Sequence, residues 1–173
     1  LSIKNNNNLF LGWNAGASWA NNGNARNTFI GNNSGSQIGT GRNNSYLGFS
    51  SGLGNIVGNN NVMVGFSAGI LSNANNNTFL GSRSGLSNTS GQENTFMGFQ
   101  AGSGNSTGSF NTYVGTQTNH FTSNGTGNRN TFVGHDAGHD ITTGSRNTIL
   151  GSNAAENITT SRWNTISGFQ AAF

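Results

Sequence analysis

The sequence predicts an all-β fold, a parallel β-solenoid or β-roll of about ten rungs of 16–19 residues each. Three observations carry that expectation. A glycine-centred phrase returns ten times, at Gly12, Gly31, Gly48, Gly65, Gly81, Gly98, Gly115, Gly134, Gly151 and Gly168, with steps of 19, 17, 17, 16, 17, 17, 19, 17 and 17 residues. Large apolar residues fall in fixed columns of that phrase although only 31% of the chain is hydrophobic, which suits a thin rod better than a globule. Most of the rest is Gly, Asn, Ser and Thr, poor residues for a helix interior, and no proline interrupts the backbone donors that strand ladders need.

The first rung is read from Asn8-Leu9-Phe10-Leu11-Gly12 and the second, after a long connection, from Asn27-Thr28-Phe29-Ile30-Gly31. Rungs three to seven centre on Tyr46-Leu47, Met63-Val64, Phe79-Leu80, Phe96-Met97 and Tyr113-Val114, each followed by its glycine. The last three centre on Phe132-Val133, Ile149-Leu150 and Ile166-Ser167. Between copies lie turn-forming stretches such as Asn88-Thr89-Ser90-Gly91 and Ile141-Thr142-Thr143-Gly144. Residues 1–173 therefore read as a single repeat array. Both ends fall inside the pattern, so it reads as an excerpt of a longer fibrous protein.

Four residues before each glycine stands an asparagine: Asn8, Asn27, Asn44, Asn61, Asn77, Asn94, Asn111, Asn130, Asn147 and Asn164. Stacked at roughly 4.8 Å, this column is expected to form a ladder in which each side-chain amide bonds to the one above and below. Three residues after the glycine the side chain is always small, from Ala15 to Ala171, so a neighbouring backbone is expected to exclude bulk there. The two residues before the glycine are nearly always both apolar and must point to opposite faces of a strand. One face fills the interior; hiding the other from water needs a second layer, which another subunit would supply. A homo-oligomer, most simply a trimer, is the expectation.

The chain has no cysteine, hence no disulfide or thiolate metal site, and no apolar run long enough to span a membrane or act as an export signal. Nothing in it calls for a cofactor. The stretch Gly144-Ser145-Arg146-Asn147-Thr148-Ile149-Leu150-Gly151-Ser152-Asn153-Ala154-Ala155-Glu156-Asn157-Ile158-Thr159-Thr160 resembles the Asn-Thr-Ala-hydrophobic-Gly-x-x-Ala repeats of phage tail-fibre-like proteins and large bacterial surface proteins. More loosely it is similar to the β-roll heads of trimeric autotransporter adhesins. The resemblance implies a trimeric, extracellular, adhesive fibre on a cell surface or virion. This chain departs from the tail-fibre pattern in carrying an aromatic where alanine is usual.

Candidate chemistry is sparse. Gly48-Phe49-Ser50-Ser51-Gly52 and Gly65-Phe66-Ser67-Ala68-Gly69 match the nucleophile-elbow pattern of hydrolases, but other copies carry Asn, Arg, Gln or Asp in that serine column, so no enzyme is expected. A calcium-binding roll would need an aspartate in every turn, and the chain has only Asp136 and Asp140. That aspartate pair is also a weak case for a polysaccharide-degrading tail spike, because aromatic platforms and further charges are missing around it. His120 and His139 each follow their glycine by five residues, with Glu156 next in the same column, a His/His/Glu stack with the chemistry of a metal site.

Seven basic against four acidic residues give a net charge of +3. Arg129 and Arg146 immediately precede a ladder asparagine and Arg162 sits one residue earlier, so all three should project from one turn edge about 5 Å apart along the fibre. That spacing suits an anionic surface polysaccharide. Nucleic acid is not expected as a partner, because the aromatics read as core residues. The functional expectation is a non-enzymatic structural and adhesive shaft or head of an extracellular fibre. The alternative is an ice-binding solenoid, which would use the column Thr28, Ser45, Thr78, Thr95, Thr112, Thr131, Thr148 and Thr165 beside the aliphatics of the same face.

Overall fold

The computed structural model describes residues 2–4, 7–20, 25–120 and 124–172. Its strands are short and evenly spaced: β1 (Ser2–Lys4), β2 (Asn8–Leu11), β3 (Thr28–Ile30), β4 (Ser45–Leu47), β5 (Val62–Val64), β6 (Thr78–Leu80), β7 (Thr95–Met97), β8 (Thr112–Val114), β9 (Thr131–Val133), β10 (Thr148–Leu150) and β11 (Thr165–Ser167). They form one sheet in sequence order. From β2 to β11 every pairing is parallel and in column register, so Phe29 lies beside Tyr46 and Phe96 beside Tyr113. The expected parallel solenoid, one strand per repeat, is what forms, with no helix among the described residues. β1 was not legible as a strand; it runs antiparallel along the edge of β2, with Ile3 opposite Leu9.

The phrase glycine is fixed by two constraints at once. Its φ lies between 130° and 142°, a region open only to glycine. From Gly12 to Gly151 a Cβ there would also sit 2.2–2.5 Å from the carbonyl oxygen of the equivalent glycine one rung on, as at Gly98 against Gly115. The chain therefore turns off the strand where two backbones touch.

Inside, the rod is one large side chain thick. The residue two before each glycine is buried in β2 to β10, and its aromatics stack: Phe10, Phe29 and Tyr46 at 4.9 and 4.6 Å, then Phe79, Phe96, Tyr113 and Phe132 at 5.0, 4.8 and 4.8 Å. Met63 breaks the stack, and Ile149 continues it as an aliphatic. Each of these aromatics except Tyr113 packs against a glycine six residues on in its own rung, a place Asn119 takes beside Tyr113 at φ 48°; a Cβ on Gly102 would meet the Phe96 ring at 2.4 Å. Where the ring is replaced by Ile149, the same place is held by Ala155 at φ 58°, the smaller side chain leaving room for a methyl. The small column three residues after the glycine is buried from Ala15 to Ala154, as expected.

The asparagine ladder forms, but not by amide-to-amide stacking. Each side chain instead bridges two backbone groups of the next rung. Asn94 Oδ1 accepts the N–H of Asn111 at 3.0 Å while its Nδ2 donates to the carbonyl of Gly108 at 2.9 Å. The same two bonds recur from Asn27 through Asn147, at 2.9–3.0 Å to the N–H and 2.7–2.9 Å to the carbonyl. Among the described ladder residues, direct amide-to-amide bonds appear only at Asn61 to Asn44 and Asn164 to Asn147. The reason is geometric. The corner before each ladder asparagine holds a left-handed residue, which points one N–H and one C=O inward, and a buried carboxamide pairs both.

A second inner column went unread. Asn55, Asn88 and Asn105 are buried seven residues after their glycines, where Ile38 and Ile141 stand in outer rungs. Asn105 donates to Asn88 Oδ1 at 2.9 Å and to the Gly108 carbonyl at 3.0 Å, while Asn55 donates to the Tyr46 hydroxyl.

Candidate functional site

Three surfaces carry residues with something to bind. The first is the outward face of the strands. In strands of pattern out-in-out the aromatic points inward, leaving the residue just before each glycine outside together with the residue three before it. Leu11, Leu47, Met97, Val133 and Leu150 are 38–49% exposed, and Ile30, Val64, Leu80 and Val114 are half-buried. The two-sided burial expected from the sequence is thus one-sided within a single chain. Thr28, Thr78, Thr95, Thr112 and Thr148 share this face and are half-buried, while Ser45, Thr131 and Thr165 are exposed. Just past the glycines, Phe49, Phe66 and Phe99 are about half exposed, and Phe49 stacks on Phe66 at 5.6 Å.

The second surface is the arginine edge. Arg129, Arg146 and Arg162 are exposed and line one open depression of about 250 Å3 with Asn128 and Ser145. The structure therefore brings the three expected arginines together. They do not all project freely. The Arg129 guanidinium lies 5.2 Å from the Phe110 ring centre and that of Arg146 lies 4.3 Å from the Trp163 ring, both within cation–π range. Phe110, Arg129, Arg146 and Trp163 occupy the same left-handed corner position of four successive rungs, with φ between 58° and 65°. Aromatics in that column flank the arginines and hold them along the rod. Among the described residues, no carboxylate pairs with them.

The third surface is the histidine column. His120 and His139 approach with ring centres 5.3 Å apart. Glu156, the expected third member, does not join them. Its place is taken by Asp136, which follows Gly134 by two residues: one ligand atom each from His120, Asp136 and His139 lies within 4.8 Å of the others. Asp136 also meets His135 Nδ1 at 3.2 Å, and His139 Nδ1 meets Asp140 Oδ1 at 2.9 Å. Burial, reinforced by the neighbouring His139 and opposed by Asp136, lowers the pKa of His120 below its ordinary value. Column reasoning could not find Asp136, because it relates only residues at equal distances from their glycines.

The serines of the two elbow-like motifs, Ser50 and Ser67, are buried, and both belong to a second left-handed column, two residues after the glycine, that holds other polar residues elsewhere. Comparison with protein-family models, curated proteins and solved structures found no match for this chain.

Proposed function

We propose that this array is the non-enzymatic structural and adhesive shaft or head of an extracellular fibre, on a bacterial surface or a phage tail, in which rods associate side by side as a homo-oligomer, most simply a trimer. The observation that carries this reading is the outward strand face. Its aliphatics run in register along nine of the ten parallel strands, roughly 40 Å at ordinary strand spacing, and are partly or largely open to solvent in a single chain. A continuous apolar stripe of that length is unusual on an isolated soluble chain and typical of a surface that is covered. The fibre then presents the arginine depression once per chain, repeated around the axis. Each exposed contact to an anionic sugar contributes only about 0.2–1 kcal/mol, so adhesion rests on several subunits acting together. The test is to replace Arg129, Arg146 and Arg162 with Gln and measure binding to acidic polysaccharide at low and high salt. The reading expects weak, salt-sensitive binding that the triple variant loses; equal binding by the variant at low salt contradicts the glycan part.

One observation favours a second reading, ice binding. Threonines and aliphatics alternate across the same open, regularly spaced face. The half-exposed Phe49, Phe66 and Phe99 at its margin argue against a flat ice-matching plane. Thermal hysteresis from a monomeric chain would favour ice binding over the fibre.

A further inference from the structure

We propose that His120, Asp136 and His139 bind one divalent first-row transition-metal ion, of the kind zinc exemplifies, and that this ion clamps the seventh rung to the eighth. The donors come from two rungs: His120 follows Gly115, whereas Asp136 and His139 follow Gly134. These glycines are separated by one of the two 19-residue steps, where the connection is two residues longer than the usual 17. A cross-link here ties two rungs across one of the longest steps of the array.

The donor set decides the class of ion. Two imidazoles and a carboxylate, without a thiolate, suit zinc, cobalt, nickel or copper; calcium and magnesium prefer all-oxygen shells. Four features fit such a site. One ligand atom from each residue lies within 4.8 Å of the others. Bonds of about 2.0–2.2 Å in a tetrahedron set donors roughly 3.3–3.6 Å apart, so binding draws the widest pair inward by up to about 1.5 Å, within reach of side-chain rotation. The His120 and His139 rings meet at 56°, whereas the inner aromatic column stacks within 4–13°, so these rings do not lie flat on one another. His139 Nδ1 lies 2.9 Å from Asp140 Oδ1, the carboxylate–histidine arrangement that fixes the Nδ1–H tautomer and presents Nε2 to a metal. The Asp136 Oδ1 atom is buried with no hydrogen-bond partner among the described residues, a costly state for a carboxylate oxygen that an ion would relieve. Three protein donors leave a fourth position for water or an outside ligand.

The experiment is isothermal titration of the chelator-stripped chain with zinc chloride, paired with a cobalt(II) absorption spectrum. The expected result is one ion per chain with micromolar or tighter affinity and the intense visible bands of four-coordinate cobalt. At hundredfold excess over Kd the chain's Tm should rise by about 5–10 °C. Asp136→Asn and His139→Asn should each weaken binding by a hundredfold or more, and Asp140→Asn by about 10- to 100-fold. Glu156→Gln should bind as the parent does. Absence of saturable binding, or of the cobalt bands in the parent chain, overturns the proposal even if a variant fails to fold. Loss of affinity in Glu156→Gln equal to that in Asp136→Asn overturns the ligand assignment.

Discussion

Phe96 and Met97 are adjacent in one strand, yet the first is fully buried and the second 43% exposed. The same contrast runs down the array, and it separates two jobs. The inner column holds each rung on its neighbours; the outer column contributes little to the fold of one chain and is free to meet another. A rod only one aromatic thick has no spare interior, so the cost of a substitution depends on which side of the strand it falls.

The sharpest break of the comparison is on the inside. Phe96→Ala should destabilise the chain by about 3–5 kcal/mol, because it opens a cavity between the stacked rings of Phe79 and Tyr113. Asn94→Ala should cost about 2–4 kcal/mol, since it strands the buried N–H of Asn111 and leaves the Gly108 carbonyl to the Asn105 amide. Urea denaturation of either variant checks both values. Gly102→Ala follows at roughly 2–3 kcal/mol, from left-handed strain plus the clash with Phe96. Ala155→Gly, at the matching position beside Ile149, should change stability by less than about 1 kcal/mol. If the two glycine-position variants behave alike, the fit between ring and glycine is not what fixes that column.

The inner column also titrates. Burial raises the phenol pKa of Tyr46 and of Tyr113, with hydrogen bonds from Asn55 and Asn61 to the first and from Asn130 to the second opposing it. A group whose folded pKa lies above its unfolded value of about 10 stabilises the fold fully below that pH and ceases to as pH rises. Tm should therefore fall above about pH 10, and the double variant Tyr46→Phe with Tyr113→Phe should flatten that decline. Smallest is the outside: Met97→Ser should alter the unfolding free energy of a single chain by less than about 0.5 kcal/mol.

Period, strand positions and the buried aromatic column were all legible, because a fixed step with large apolar residues in one place leaves few other folds. The ladder asparagines were legible as a column but not in their bonding. Their partners are backbone groups at left-handed corners, and those conformations fall on Asn43, Glu93, Phe110 and Arg129 alike, with no shared residue type to announce them. Of the candidate sites, the arginine edge followed from column position, although its flanking by Phe110 and Trp163 required noticing that aromatics and arginines share one corner. Asp136 escaped because contact between different columns depends on how the turn after the glycine curls. β1 escaped because it lies outside the repeat.

If the outer column is a contact between copies, as proposed above, sedimentation velocity on the purified chain reads it as mass. The parent should sediment at a multiple of 17.9 kDa, most simply three. A folded monomer is expected when Leu80, Met97 and Val114 are all replaced by Lys. A parent chain that sediments as a stable, folded monomer of 17.9 kDa would contradict that contact.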